Sequence, residues 1–286
     1  MSLKATAPSP VIRWSNRVLD FSQRPLVMGI LNITPDSFYE QSRLFSPDKA
    51  LTKAQEMIQH GADIIDVGGE STRPASRQVS IDEELKRVIP VIQELRKKSD
   101  IIISIDTMKK EVAEEALKQG ADMANCVSGL KNDEAFGRLL AKRQIPVILM
   151  HMRGTPQTMQ NNPFYKDTII EIKAELNKLV QNALSWGITK EKIIIDPGIG
   201  FGKRLEDNLK IIKNLDQIKN LGYPLLIGVS RKSFIGLVLD KPAEQRLIGT
   251  ITANTVAILQ GADIVRVHDV KQAVEMVKII AAIKNI

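Results

Sequence analysis

Eight short apolar runs alternate along the chain with longer segments in which apolar and polar residues follow a helical period. Few polar residues interrupt the runs, which is typical of strands buried on both faces of a parallel sheet. Strands are predicted at 26–33, 63–67, 101–106, 122–127, 146–151, 193–196, 225–230 and 263–268. Eight strand and helix units in about 260 residues favour a (β/α)8 TIM barrel over an open doubly wound sheet.

The amphipathic segments between these strands carry recognisable helix boundaries. Ser46-Pro47 provides an N-cap and a first-turn proline, and Ser80-Ile-Asp-Glu83 is a capping-box pattern. Helices are predicted at 46–60, from 80 onward, and at about 107–119, 132–143, 167–186, 206–221, 243–260 and 270–284. The tripeptide Gly-Ala-Asp stands at 61–63, 120–122 and 261–263, each time between a helix and a strand. Glycine there can end a helix in the left-handed conformation, so the repeat predicts a repeated βα unit.

The chain outside these units is short. Residues 1–25 precede the first predicted strand and are predicted to form an extension with a short hairpin under the barrel floor. Residues 26–286 then form a single barrel domain. The connection 152–167, rich in Asn, Gln, Gly and Pro, is predicted to be a loop above the fifth strand.

Composition narrows the class of protein. Apolar residues make up 43% of the 286 and charged residues 26%, as in soluble globular proteins. No apolar run approaches the roughly 20 residues of a membrane span, and the N-terminus does not resemble a secretory signal. The single Cys126 excludes an intramolecular disulfide and fits a reducing, cytoplasmic compartment. The net charge of +7 is spread over separate helices rather than one basic block, which argues against nucleic-acid binding.

Every predicted strand ends in polar residues, although the strand bodies are apolar. The ends include Asn32, Gly68-Gly-Glu70, Asp106, Asn125, His151, Asp196, Ser230-Arg-Lys-Ser233 and Arg266-Val-His268. In a (β/α)8 barrel, the chemistry is carried out at these carboxyl ends. Polar residues also begin ordinary loops, but that reading explains one or two such ends better than all eight.

Cationic and anionic groups both occur at the strand ends. Arg266 and His268 are two apart on one strand and point to the same side, and with Lys232 and Arg73 they predict a pocket for a phosphate or pyrophosphate. The alternatives are a salt bridge from Arg266 to Asp263 or Asp269 and a structural role for His268.

Asp106 and Asp196 end two predicted strands, and buried carboxylates need hydrogen-bond donors. A heterocycle with ring N–H and amino groups would supply them. The alternative is a helix cap, which suits Asp106 better than Asp196 because Pro197 and three glycines follow the latter. Lys232 is a Schiff-base lysine, an anion contact or a surface residue, and its position just past a strand favours contact with a ligand.

Two further motifs bear on cofactors. The stretch Gly198-Ile-Gly-Phe-Gly-Lys203 is not a P-loop, because its spacing is wrong and Arg204 follows the lysine. Only three histidines occur, none at zinc-ligand spacing, which disfavours a zinc site. A hard-metal site using Asn32 and substrate oxygens stays open.

Six segments together resemble the dihydropteroate synthase family, a group of pterin-binding TIM barrels, from about residue 26 to the C-terminus. They are Met28-Gly-Ile-Leu-Asn-Ile-Thr-Pro-Asp-Ser-Phe38, Gly68-Gly-Glu-Ser-Thr-Arg-Pro74, Ser104-Ile-Asp-Thr107, Asp196-Pro-Gly-Ile-Gly-Phe-Gly-Lys203, Ser230-Arg-Lys-Ser233 and Arg266-Val-His268. The resemblance implies a homodimeric, sulfonamide-sensitive enzyme of folate biosynthesis. Such an enzyme condenses 4-aminobenzoate with a dihydropterin pyrophosphate with the help of Mg²⁺.

The resemblance also implies a role for each matching residue. Asn32 is implied as the Mg²⁺ ligand, and the pterin contacts are implied to be Asp106, Asn125, Asp196 and Lys232. The pyrophosphate would meet Asn32, Thr72, Arg266 and His268. The aminobenzoate would meet Arg73, Pro74, Phe201, Ser230 and Lys232. The residues implied to take part in catalysis are Asp106, Lys232, Arg266 and His268.

The chain departs from the family pattern at Tyr39–Ser42, at Ala75 and at Cys126, where the family commonly has Asp-Gly-Gly, Gly and Asp respectively. The sequence leaves three other classes of protein open. These are a pterin-binding methyltransferase of the same barrel superfamily, a sugar-phosphate aldolase using Lys232, and a pterin-binding module without activity. Ser-Arg-Lys-Ser and Arg-Val-His argue against the methyltransferase, which needs no pyrophosphate pocket.

Overall fold

A computed structural model of the chain describes residues 11–33, 47–71, 78–131, 133–284 and 286. Its strands are β1 (Val11–Trp14), β2 (Arg17–Asp20), β3 (Leu26–Asn32), β4 (Ile64–Gly68), β5 (Ile102–Asp106), β6 (Met123–Cys126), β7 (Val147–Met150), β8 (Ile193–Asp196), β9 (Leu226–Ile227) and β10 (Ile264–Val267). Its helices are α1 (Pro47–Gln59), α2 (Ile81–Lys98), α3 (Lys110–Lys118), α4 (Glu134–Arg143), α5 (Thr168–Ser185), α6 (Leu205–Lys213), α7 (Leu215–Lys219), α8 (Ser233–Leu239), α9 (Leu247–Leu259) and α10 (Val270–Lys284).

Strands β3 to β10 form one parallel sheet that closes on itself. The order around the sheet is β8-β7-β6-β5-β4-β3-β10-β9. The two end strands meet through a bridge between Ile195 and Leu225, where Ile195 N donates to Pro224 O at 2.9 Å. The predicted barrel is therefore confirmed and the open sheet is excluded. None of the helices in the described ranges combines the length and apolar character that a membrane crossing requires.

The predicted N-terminal hairpin is present beneath the barrel. Strands β1 and β2 pair antiparallel, with Ile12 opposite Leu19. Their buried faces and Phe21 form a second apolar cluster with the lower barrel interior. The members of this cluster are Ile12, Trp14, Leu19, Phe21, Leu26, Met28, Ile64, Met123, Ile148, Ile194, Leu226 and Ile264. The hairpin thus covers the amino-terminal end of the barrel, and the opposite end is left to the loops.

The three Gly-Ala-Asp joints have the same geometry, as the repeat predicts. Their glycines have φ values of 93°, 113° and 102°. In each joint the aspartate pairs reciprocally with one residue of the preceding strand, so that its N–H donates to that residue's carbonyl and its carboxylate accepts that residue's N–H. The pairs are Asp63 with Val27, Asp122 with Ile103, and Asp263 with Leu225, and the carboxylate bonds measure 2.8, 2.9 and 2.6 Å. The side chain therefore extends the backbone ladder by one rung.

Removing one of these carboxylates is expected to destabilise the floor without affecting catalysis. Asp122 also forms ion pairs with Arg17 and Arg96. Asp122→Ala should lower the free energy of unfolding by about 2 kcal/mol, the range for a hydrogen bond to a charged group. Asp122→Asn keeps an acceptor for Ile103 N and should lose less. Urea unfolding measures both. Equal midpoints for the alanine variant and the unmutated protein would contradict this role.

The clearest differences between the predicted and the observed elements concern three parts of the chain. The helix predicted at 206–221 is divided at Asn214 into α6 and α7. Helix α8 was not predicted, because Ser233-Phe-Ile-Gly-Leu-Val-Leu239 is apolar nearly throughout and shows no helical period. Strand β9 covers only Leu226–Ile227, since the chain then bends toward α9, where Arg231 N donates to Thr250 Oγ1 at 3.0 Å.

Candidate active site

The strand ends named in the sequence lie side by side at the upper end of the barrel. In the parallel register Asn32 is opposite Gly68, Gly68 is opposite Asp106, and Asp106 is opposite Asn125. On the neighbouring strands β7 and β8, Met150 is opposite Asp196. The register alone therefore brings four of the predicted site residues to one rim.

A buried charge cluster lies at the centre of this rim. Arg266 Nε donates to Asp66 Oδ2 at 2.6 Å, and Arg266 Nη2 donates to Asp106 Oδ2 at 2.5 Å. Asn125 Nδ2 donates to the same Asp66 oxygen at 3.0 Å. Arg266 thus points into the barrel and holds two carboxylates at once, an arrangement that suits its planar, forked guanidinium.

The salt bridges considered as alternatives for Arg266 are replaced by other pairs. Asp269 accepts two hydrogen bonds from Arg231, at 3.0 and 2.6 Å. Asp263 pairs with Leu225 N and Lys219 on the barrel floor, at the other end of its strand. Asp106 does not cap a helix, because α3 begins at Lys110 and Asp106 is engaged by Arg266.

The cluster retains two carboxylate oxygens without a hydrogen-bond partner in the described part of the chain. Asp66 is fully buried, and the Oδ1 atoms of Asp66 and Asp106 have no partner among the described residues. Burial raises the pKa of the Asp106 carboxyl, Arg266 opposes this, and Asp66 adds to the rise. The two carboxylates raise the pKa of the Arg266 guanidinium despite its burial, so it stays charged. Two carboxyl groups that share one cation, with spare acceptor oxygens, favour a ligand rich in N–H groups.

Sequence reasoning missed Asp66. It lies within the second predicted strand, whereas the predicted site residues were taken from the strand ends. The available signal was its position in Ile64-Ile-Asp-Val-Gly68, a single carboxylate inside an apolar run of a sheet buried on both faces. Such a group requires a buried cationic or hydrogen-bonding partner, and Arg266 and Asn125 are those partners.

Asp196 and Lys232 form the opposite side of the site. Asp196 Oδ1 accepts from Gly198 N at 2.7 Å, and burial raises the pKa of this carboxyl. Lys232 Nζ donates to Ile199 O and lies 4.6 Å from the centre of the Phe201 ring. Burial lowers the pKa of Lys232 to about 8, with Asp196 acting against the decrease. Lys232 lies at the start of α8, beyond the end of β9.

Ser230 fixes the ring of His268. Its Oγ accepts from His268 N at 3.2 Å and lies 2.9 Å from His268 Nδ1, to which the hydroxyl can donate. These two predicted site residues therefore lie together on neighbouring strand ends. Asn32 is partly buried at the end of β3. Thr72, Arg73 and Pro74 lie outside the described residues.

The glycine-rich stretch after β8 is not a phosphate cradle. Gly198 N is taken by Asp196, Gly200 N donates to Asn208 Oδ1 at 2.6 Å, and Phe201 N donates to Gly198 O at 3.1 Å. These amides are satisfied within the protein and do not point together at an anion. The exclusion of a P-loop from the spacing agrees with this geometry.

The architecture and the rim together define a TIM-barrel enzyme with a site for a nitrogen heterocycle. The model of the pterin-binding enzyme family matches residues 28–268, and the chain belongs to this family.

Within the family the chain is similar to dihydropteroate synthases. It is 45% identical to that of Haemophilus influenzae over 95% of this chain and 98% of the relative, and 46% identical to that of Bacillus subtilis over 96% and 94%. A Yersinia pestis dihydropteroate synthase with a sulfonamide drug has a TM-score of 0.92 at 41% identity, covering 96% of this chain and all of that one. A Xanthomonas albilineans dihydropteroate synthase with 4-aminobenzoic acid has a TM-score of 0.91 at 38% identity, covering 97% and 99%.

Proposed function

We infer that this chain catalyses the dihydropteroate synthase reaction. In this reaction 4-aminobenzoate displaces pyrophosphate from (7,8-dihydropterin-6-yl)methyl diphosphate to give 7,8-dihydropteroate. The observation that carries the inference is the cluster of Arg266, Asp66, Asp106 and Asn125, buried at the catalytic end of the barrel with unused carboxylate oxygens. Relatives that share 44% to 47% of their residues with nearly the whole chain are dihydropteroate synthases.

The pterin is proposed to bind between Asp106 and Asp196. Its ring N–H and amino groups match the acceptor oxygens of buried carboxylates, and the Asn125 side chain adds an amide at the edge of the pocket. Asp66 holds both Arg266 and Asn125, so it orients two of the groups around the ring. Lys232, which is near Asp196, completes the proposed set of pterin contacts.

The chemical step requires a stable leaving group and a stabilised carbon centre. The C–O bond to pyrophosphate breaks and its electron pair leaves with the phosphate, so Arg266 and His268 are proposed to stabilise the growing negative charge. The methylene carbon becomes electron-poor, and the negative charge of Asp106 favours that state. The aminobenzoate nitrogen then donates its lone pair to the carbon and loses one proton to the solvent. Positioning and electrostatics account for catalysis without a covalent enzyme intermediate.

The second substrate is proposed to lie against Phe201, Ser230 and Lys232. The Phe201 ring offers an apolar face to the benzene ring, and Lys232 Nζ lies 4.6 Å from the centre of the Phe201 ring. Arg73 and Pro74, which lie outside the described residues, stay predicted contacts. A sulfonamide drug, which is present with the Yersinia pestis relative, is expected to compete with aminobenzoate here.

A magnesium ion is also proposed. The described residues contain no group of three or more His, Cys, Asp or Glu side chains arranged to hold a metal. Mg²⁺ often takes one or two protein ligands and completes its shell with water and substrate phosphates. Asn32, at the end of β3, would supply the protein oxygen. When bound, the ion would neutralise charge on the pyrophosphate.

We propose that the protein forms a homodimer through α8, α9 and α10. Helix α9 contains no charged residue, yet Ile248 is 77% exposed. More than half of the large exposed apolar side chains of the described residues lie on these three helices, namely Leu237, Val238, Leu239, Ile248, Val256, Leu259, Ile279 and Ile283. Helices α8 and α9 approach closely at Gly249, where an added Cβ would be 2.4 Å from Ile235. A concentration of exposed apolar side chains of this kind is typical of an interface between identical chains.

The dimer is tested by sedimentation of Ile248→Glu. This variant is expected to sediment as a monomer, because the interface would bury an unpaired carboxylate. Ile170→Glu on α5, where the isoleucine is 66% exposed, is the matched control and should stay dimeric. A monomeric unmutated protein at micromolar concentration would refute the proposal.

The activity is tested by incubation with the dihydropterin pyrophosphate, aminobenzoate and Mg²⁺. Stoichiometric release of pyrophosphate and formation of dihydropteroate are expected. Binding of free pterin without turnover would refute the synthase and favour a binding module.

A lone buried cysteine, Cys126, fits the further proposal that the enzyme is cytoplasmic.

A further inference from the structure

A buried lysine follows the glycine-rich stretch and has no part in the proposed reaction. Lys203 is only 3% exposed. Its Nζ lies 2.9 Å from Phe201 O, 2.9 Å from His151 Nδ1 and 3.4 Å from His151 O. A buried amine satisfied by three acceptors from two loops fixes those loops relative to each other.

The direction of these hydrogen bonds follows from Glu175. His151 is 1% exposed, and its Nε2 lies 2.8 Å from Glu175 Oε2. Hydrogen bonding to His151 and Arg153 lowers the pKa of Glu175 to about 2, so this oxygen accepts and Nε2 carries the proton. Burial lowers the pKa of His151 to about 4, so Nδ1 is an acceptor and Lys203 donates to it. Burial also lowers the pKa of Lys203, but the amine has enough N–H groups for both 2.9 Å bonds in either charge state.

The glycine-rich stretch is packed directly on the segment that carries His151. A Cβ on Gly198 would lie 1.9 Å from His151 O, and one on Gly202 would lie 2.3 Å from Arg153 O. Tyr165 Oη donates to Gly202 O at 2.9 Å. Residues 198–203 are thus held in place by backbone contacts with residues 151–153 and by the hydrogen bonds of Lys203.

The position of Phe201 depends on this arrangement. Its carbonyl accepts from Lys203, its ring lies 4.6 Å from Lys232 Nζ, and Lys232 donates to the nearby Ile199 O. The ring also packs on a small apolar cluster that includes Met150 and Met152. A loss of the Lys203 bonds would release the backbone beneath the ring, whereas the cluster of Asp106 and Arg266 would keep its contacts.

We propose that Lys203, held by His151 and Glu175, is a positioning residue that fixes Phe201 for aminobenzoate. The proposal rests on the synthase function inferred above. None of the Lys203 bonds reaches the cluster of Asp106 and Arg266, so aminobenzoate binding depends on this network more directly than pterin binding does. Lys203 touches neither substrate and acts through the loop.

Lys203→Met tests this with a split between the two substrates. The KM for aminobenzoate is expected to rise roughly tenfold, since a misplacement of about 1 Å can cost up to ~100-fold. The Kd for free pterin, measured by calorimetry, should stay within about twofold. Amide hydrogen exchange at residues 198–203 should be faster in the variant without any substrate. Lys178→Met, an exposed position on α5, is the control and should match the unmutated protein.

Two substitutions of His151 provide an independent test, including the case in which Lys203→Met does not fold. His151→Asn puts an oxygen close to the position of Nδ1 and keeps the acceptor for Lys203. His151→Gln reaches Glu175 and loses that acceptor. The aminobenzoate KM should therefore rise much more for glutamine than for asparagine.

Equal effects of the two His151 substitutions, or equal weakening of both substrates, would overturn the proposal. A lower melting temperature with unchanged aminobenzoate KM would reduce Lys203 to a structural role and would also overturn it. A failure of the unmutated protein to release pyrophosphate would count against the synthase function instead. The exchange measurement still tests the loop in that case.

Discussion

Replacing Arg266 with alanine is expected to lower kcat/KM for the synthase reaction by roughly 10²- to 10³-fold, the range for loss of one preorganised donor. The guanidinium is proposed to stabilise the departing pyrophosphate, and it also holds Asp66 and Asp106. Without it, both carboxyl groups stay buried with no cation between them. The effect should therefore exceed that of losing a single surface charge.

The pH profile of this variant separates the two roles. Arg266 acts to lower the pKa of Asp106, so its removal raises that pKa further above the ordinary value. A smaller fraction of Asp106 is then ionised at neutral pH, and the residual kcat/KM should increase more steeply toward alkaline pH than in the unmutated enzyme. Arg266→Lys keeps the charge but cannot hold both carboxylates in the same geometry, and intermediate activity is expected. Activity of the alanine variant within threefold of the unmutated enzyme would contradict both roles.

The largest expected effect on stability belongs to Gly198→Ala. Gly198 has a φ of 66°, and the added methyl group would lie 1.9 Å from His151 O, which belongs to the backbone and cannot rotate away. The left-handed conformation costs about 1 kcal/mol for alanine, and displacement of packed backbone adds about 1–3 kcal/mol. The free energy of unfolding should decrease by roughly 3 kcal/mol in total.

Gly222→Ala is the matched control for this substitution. Gly222 has a similar φ of 81°, but nothing lies within 4 Å of an added Cβ. Only the conformational term of about 1 kcal/mol should appear. Thermal unfolding of both variants measures the difference. Equal melting temperatures would show that contact with His151 O is relieved at no cost, which would contradict the tight packing of the glycine-rich stretch.

The strands and the helix-to-strand joints could be predicted from the sequence, because burial imposes a pattern of apolar residues on each short segment. All eight barrel strands, the hairpin and the three Gly-Ala-Asp joints correspond to patterns within a few neighbouring residues. Helix α8 was missed for the same reason, because an apolar heptapeptide carries no period that distinguishes helix from strand. The division between α6 and α7 depends on how the two short helices pack, which a continuous amphipathic pattern does not contain.

The strand-end residues of the rim could be predicted from the sequence, but Asp66 and the pairings between residues could not. Position at a strand end identified Asp106, Asn125 and Asp196, since parallel strands end at one rim. The partnership of Arg266 with Asp66 spans 200 residues, and no spacing rule connects two strands so far apart. The link between Lys203 and His151, 52 residues apart, was invisible for the same reason. Such pairings are set by the closure of the barrel, which sequence patterns define only in outline.

The neighbouring strands of the barrel are not all joined by the same number of hydrogen bonds. Each Gly-Ala-Asp joint reinforces the seam within one pair of strands, namely β3 with β4, β5 with β6, and β9 with β10. The seam between β8 and β9 has a single bridge in place of a ladder. Phe201 and Lys203 follow the strand on one side of that seam, and Ser230 and Lys232 follow the strand on the other. An aminobenzoate bound between Phe201 and Ser230 would therefore join two strands that the backbone connects only weakly, so that the second substrate itself helps to close the barrel.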